Sequence, residues 1–229
     1  MLGTVVNVLA IIAGSCIGLI FRGGIPMGYQ QTVIQAIGLA VAIIGISGAL
    51  KTQDILVVIF SLAIGSIIGE LLRIESRLNQ LGNWLERRFS KAGSGIARGF
   101  VTASLLYCVG SMAIVGSMES GLTGNHQTLF AKSVLDGISS IIFASSFGAG
   151  VLLSAVSVGV YQGLLTLSAV IIKPFLIPSV VDQMSAVGGI LIMAIGINLL
   201  DIKKINVGNM LPAIFMPLAY YMIRQLAAL

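Results

Sequence analysis

Lys132 and Asp136 are two opposite charges four residues apart inside QTLFAKSVLDGISSIIFASSFGAG, Gln127 to Gly150, a segment otherwise apolar and long enough to cross a bilayer. A charge at that depth costs about 2.5–3.5 kcal/mol on insertion scales. On a helix the spacing puts both on one face, one turn apart, so each partly neutralises the other. Such a pair faces a protein interior or a wet cavity rather than lipid. Two roles fit it. In one, Asp136 binds a cation or proton on a solute path while Lys132 sets its charge state or meets an anionic group. In the other, the pair is a buried clamp that keeps helices in register. Ser111, Ser133 and Gln162 offer neutral polar contacts, and Glu119 belongs to the same central part of the chain. Three amides, Asn7, Asn198 and Asn209, complete the candidate set, because an amide in hydrocarbon must find a partner in a helix or a substrate.

Other chemistries lack their residues. His126 is the single histidine and has no Cys/His cluster around it, so no zinc or haem site is expected. No Ser/His, His-Glu-x-x-His or paired-Asp arrangement is present, which leaves an intramembrane enzyme without an evident nucleophile. No G-x-x-x-x-G-K-[ST] loop is present either, so neither nucleotide nor any other cofactor is expected. Cys16 and Cys108 fall inside predicted membrane helices and read as small apolar packers.

The elements that hold these residues are membrane helices. A chain of 229 residues that is 57% hydrophobic and 9% charged, with mean hydropathy +1.04, is far from a soluble domain, where about a quarter of residues are charged. Its apolar runs are continuous rather than alternating, which favours helices over a β-barrel. The expected fold class is all-α, a polytopic transmembrane bundle of about eight hydrophobic helices forming one transmembrane domain over residues 1–229. The runs are Thr4–Phe21, Val33–Leu50, Ile55–Leu72, Phe100–Met118, the segment carrying Lys132, Val151–Ile172, Ala186–Leu200 and Val207–Ile223. The first lacks the basic flank and cleavage site of a signal peptide and is expected to be retained. GGIP at Gly23–Pro26 marks a turn, Asp54 stands where an N-cap would be, and Pro174 with Pro178 stops the sixth run. Pro217 predicts a kink in the eighth. The Gly/Ser-rich stretch from Phe143 to Gly150 is either helix or re-entrant.

Between residues 73 and 98 the character changes. Leu78, Leu81, Trp84, Leu85 and Phe89 recur at helical spacing among Arg77, Arg87, Arg88 and Lys91, as in a helix lying in the bilayer interface, with docking to a protein as the alternative. Glu70, at the membrane boundary, is expected to pair with Arg73. With the N-terminus outside, an eight-helix arrangement puts nine Lys and Arg on the cytoplasmic side and three outside, with Lys132 in the membrane. That is the bias of the positive-inside rule, so the net charge of +5 reports orientation and not nucleic-acid binding.

An internal repeat is also expected. GGIPMGYQQTVIQAIG at Gly23–Gly38 resembles FLIPSVVDQMSAVGG at Phe175–Gly189, and each is followed by a Gly-Ile pair, Gly45-Ile46 and Gly196-Ile197. Runs one to three would then recur, inverted, as six to eight, an arrangement common in secondary transporters. A second, more dilute alignment matches Gly14-Ser15 and Gln31-Thr32 with Gly110-Ser111 and Gln127-Thr128.

Several stretches together resemble a known family: TVVNVLAIIAGSCIG at Thr4, IGELLRIE at Ile68, YCVGSMAIVGSMESGLTG at Tyr107, KSVLDGISSIIFASSFGAGV at Lys132, VYQG at Val160, SAVGGILIMAIGINLL at Ser185 and VGNMLPA at Val207. The chain is similar over essentially its whole length to the YqgA/YdfK-like family of bacterial inner-membrane proteins, a domain of unknown function. The resemblance implies a multi-pass inner-membrane protein and points to transport, but carries over no substrate, cofactor or catalytic residue.

Two functions are therefore expected to compete. One is a secondary carrier or channel-like protein for a small solute or ion. The other is a non-transporting scaffold or regulator acting by self-association or partner binding, through the basic loop and the Gly14/Gly18 and Gly65/Gly69 faces. Expected partners are the lipid bilayer and a second copy of the chain, with no nucleic acid.

Overall fold

The computed structural model describes residues 1–22, 27–50, 52, 54–88, 96–109, 111–172 and 175–227. Among them there is no β-strand. The elements are α1 (Leu2–Arg22), α2 (Met27–Ala49), α3 (Ile55–Leu71), α4 (Ile74–Arg88), α5 (Ile96–Val109), α6 (Ser111–Leu122), α7 (Gln127–Phe147), α8 (Gly150–Leu167), α9 (Ala169–Ile172), α10 (Pro178–Leu199), α11 (Val207–Met210), a 3₁₀ turn (Leu211–Phe215) and α12 (Met216–Ala227). The expected GGIP turn, Lys51, Phe89, Lys91, Gly110, Lys173 and Pro174 lie outside the described residues.

All eight apolar runs are helical, but they are not eight unbroken spans. Four helices, α1, α7, α8 and α10, are long and apolar enough to cross a membrane. Two bent pairs, α3 with α4 (57°) and α5 with α6 (59°), bring the number to six if each pair is one span. The fourth run is thus two helices, one ending at Val109 and the next starting at Ser111. The Phe143–Gly150 stretch is not re-entrant: α7 stays helical to Phe147, and a turn at Gly148 (φ 82) leads directly into α8. That φ suits glycine, which has no Cβ to clash.

Local chemistry sets the other ends. The Asp54 carboxylate accepts the Val57 N–H at 3.3 Å, the N-cap expected for α3. Pro178 does not only end what precedes it; it opens α10 at its first turn, where its missing N–H costs nothing, so this helix starts two turns before Ala186. The eighth run breaks ahead of Pro217, through the 3₁₀ turn containing Pro212. Ile20, Ile43, Leu71, Leu135, Leu164 and Val170 are exposed, on helices apolar nearly all round, as lipid-facing side chains are.

The chain's contacts form two compact units. The first takes Met1–Ile34, Arg77–Cys108 and Met112–Val170; the second takes Gln35–Ser76, Val109–Ser111 and Ile171–Leu229.

In the first unit α1 packs along α7 in parallel: Gly3 lies against Leu129, Gly14 against the Gly137 carbonyl and Gly18 against the Ile141 carbonyl. A Cβ at Gly14 would drive into that carbonyl, so the small residue is what lets the two backbones meet. α8 returns antiparallel, with Gly159 beside Val8 and Gly163 beside Met1, and α6 runs antiparallel to α7, with Gly116 on Thr128 and Leu129.

In the second unit α2 and α10 cross as an antiparallel pair, Gly45 against the Gly189 carbonyl and Gly38 against the Gly196 carbonyl. α3 lies against the broken helix that follows Asn206, with Gly65 on Ala213 and Gly69 on the Asn209 carbonyl.

Candidate functional site

In the first unit, α7 carries Lys132 and Asp136 on its buried face, 5% and 6% exposed. Lys132 Nζ donates to Asp136 Oδ2 at 2.6 Å, and Asn7 Nδ2 on α1 donates to the same oxygen at 3.0 Å. Lys N-terminal to Asp is the less favoured order on an isolated helix, so tertiary burial, not helix energetics, selects this pair. The close approach of α1 at Gly14 and Gly137 brings Asn7 within reach of the carboxylate.

The Lys132 ammonium also stands 5.9 Å from the centre of the Tyr107 ring, within cation–π range. Tyr107 is 2% exposed, and its hydroxyl shares a 2.9 Å hydrogen bond with Ser140. The charges therefore rest on an aromatic floor anchored by another polar contact, extended by Phe143 with ring centroids 6.2 Å apart.

The same unit holds polar atoms with no partner among the described residues. Gln162 on α8 is fully buried, and both Oε1 and Nε2 lack a hydrogen-bond partner among the described residues. The same holds for Thr4 Oγ1, Asn7 Oδ1, Ser15 Oγ, Ser117 Oγ, Tyr161 OH and Thr166 Oγ1. Leaving a buried donor or acceptor unmet costs about 1–3 kcal/mol, so most buried polar atoms are partnered.

The other candidates divide sharply. Ser133 is buried but hydrogen-bonds back to the Leu129 carbonyl at 2.7 Å. Glu119 accepts from Thr128 Oγ1 at 2.6 Å near the α6–α7 turn, where the His126 ring meets Ser120 at 3.0 Å. Ser111 opens α6 in the second unit. Asn198 and Asn209 are also in the second unit, and both amides are spent. Asn198 donates to the Ile205 carbonyl and accepts from the Ile205 N–H, clasping the loop after α10.

Asn209 accepts the Glu75 N–H at 2.7 Å and donates to Glu70, while Glu75 accepts the Gly208 N–H at 2.8 Å. Asn209 thus caps the start of α4, and Glu75 caps the start of α11. The expected Glu70–Arg73 pairing gives way to Glu70–Asn209, because the chain bends at Arg73 (φ 52), whose N–H bonds the Glu70 carbonyl. No group of three His, Cys, Asp or Glu able to hold a metal occurs among the described residues.

Tyr107, Ser140, Thr4, Ser117, Tyr161 and Thr166 are not among the site candidates read from the sequence. The signal was there in part: Thr4 and Asn7 are three apart, Gln162 and Thr166 four, each a polar stripe on one helix face.

Comparison with known proteins agrees with a membrane protein. An uncharacterized membrane protein, YdfK, of Bacillus subtilis (strain 168) is 39% identical over 223 residues, covering 95% of this chain and 94% of that protein. The uncharacterized protein YqgA of Escherichia coli (strain K12) is 30% identical over 226 residues, covering 96% of each. No solved structure matches the chain. Residues 2–222 match the family described as a protein of unknown function, DUF554, and this helical membrane protein belongs to that family.

Proposed function

We propose that the protein is a secondary carrier, or a channel-like protein, that passes a small solute or ion across a bacterial inner membrane through its first unit. The observation that supports this most directly is the set of buried polar atoms without partners, on α1, α6 and α8, in the unit that holds the buried ion pair. A clamp needs only the Lys132–Asp136–Asn7 contacts, whereas Gln162 contributes nothing to such a clamp and is unfavourable where it stands unless a polar molecule meets it.

One further feature favours transport. The α2–α10 crossing is reciprocal: Gly38 meets Gly196, and Gly45 meets Gly189. Aligning the two copies makes Gly38 equivalent to Gly189 and Gly45 to Gly196, so the contacts exchange as an inverted repeat related by a two-fold would require.

The scaffold reading keeps one observation, the exposed Leu81 and Trp84 of the basic helix α4. Its other support is weaker, since Gly14, Gly18, Gly65 and Gly69 are occupied by contacts within the chain. Flux of candidate ions and metabolites into proteoliposomes, with wild type beside Asp136→Asn, tests the carrier directly. Loss of flux in the variant is expected; unchanged flux removes Asp136 from the path.

A further inference from the structure

Five of the buried polar side chains without partners fall within about two helical turns of one another along the first unit. Gly3 of α1 and Gly116 of α6 both press on the Leu129 side chain of α7. Gly121, just over one turn beyond Ser117, presses on the Thr166 carbonyl of α8. Gly159 and Gly163 of α8 face Val8 and Met1 of α1. This register brings Thr4 and Asn7, Ser117, and Gln162 with Thr166 from three helices to the stretch of α7 between Leu129 and Asp136. All five residues are at least nine-tenths buried: Asn7, Ser117 and Gln162 are 0% exposed, Thr4 4% and Thr166 6%.

The unmet atoms describe a ligand. Asn7 Oδ1 and Gln162 Oε1 need donors, Gln162 Nε2 needs an acceptor, and the hydroxyls of Thr4, Ser117 and Thr166 can do either. A bare cation leaves Gln162 Nε2 unmet, and an anion leaves both amide oxygens unmet. The nearby charges already compensate each other in the 2.6 Å Lys132–Asp136 contact, so this region carries no net charge to attract an ion. We infer that this region is a binding site for a small uncharged solute that both donates and accepts hydrogen bonds, of the polyol or primary-amide class. The site deepens the carrier reading and rests on it for a route to bulk solvent. Specificity follows from the inventory, since a solute lacking either kind of group leaves buried partners unsatisfied.

Alkylation of a single engineered thiol tests this. In a Cys16→Ala, Cys108→Ala background, Ser117→Cys and Thr166→Cys are each treated in membranes with three reagents: iodoacetamide, itself a small neutral amide; anionic iodoacetate; and a cationic trimethylammonium thiosulfonate. Rates are normalised to the unfolded chain. Iodoacetamide is expected to label at least ten times faster than either charged reagent, and excess erythritol or urea to slow it severalfold. Equal labelling by a charged reagent overturns the neutral class. No labelling by any reagent at either position, although both variants label when unfolded, means that water alone meets these atoms and also overturns the site. The carrier reading fails separately: selective, protectable labelling without flux in proteoliposomes leaves the site and removes transport, whereas ion flux without labelling does the reverse.

Discussion

The two units bury polar side chains in opposite ways. In the second, Asn198 and Asn209 are hydrogen-bonded on both ends of their amides: Asn198 to the Ile205 backbone, Asn209 to the Glu75 N–H at a helix start and to the Glu70 carboxylate. In the first, eight buried polar atoms have no partner among the described residues, and every one of the eight belongs to that unit. The same residue types therefore mean different things. An amide that closes a helix end is architecture, while an amide such as Gln162, apart from any helix end and unmet, is held there against its own solvation preference. Both units are knit by glycine against backbone; the first is in addition organised around a charge pair.

The largest effect should come from the knit itself. Gly189→Leu puts a side chain where the Ala49 and Gly45 backbone already stands, and failure to recover a monodisperse protein in detergent is the expected result. A well-folded variant would break the claim that this crossing needs glycine.

Next is Asp136→Leu, which leaves Lys132 buried without its counter-charge and should cost about 3–5 kcal/mol. The double change Lys132→Met/Asp136→Leu should recover most of that loss, because neither charge then remains buried. Thermal unfolding of the three proteins decides it, and a double variant no better than the single would refute the ion-pair account.

Asn198→Ala removes two hydrogen bonds to Ile205 and should cost about 1–3 kcal/mol by the same measurement. The smallest stability change separates the units most cleanly. Gln162→Leu should leave stability unchanged or raise it by up to ~1 kcal/mol, since an unmet amide is replaced by an apolar group of similar size. A marked loss would show that Gln162 is bonded after all, and the contrast between the units would collapse.

The helical membrane class, the placement of the apolar runs and the Asp54 cap were legible in order along the chain, because they depend on residues within a turn or a span of one another. So was the Lys132–Asp136 contact, which is one turn of one helix. Asn198 and Asn209 show where such reading stops. In sequence they look like Asn7, polar groups on apolar helices, and nothing local says that two have both ends of the amide bonded while the third is left with its oxygen unmet. The start of α10 at Pro178 was likewise misplaced, since a proline can end one helix or open the next.

The sequence by itself determined that this chain is a helical membrane protein with a compensated charge pair inside an apolar span, because hydropathy and helical spacing are properties of neighbours. Only the tertiary structure decided which polar groups are satisfied. Partners such as Asn7 and Asp136 are far apart along the chain and meet only because Gly14 and Gly137 let two helices touch at the backbone. Hydrogen bonds reach about 3 Å, so whether a buried amide is architecture or a waiting contact is settled by which helix lies beside it.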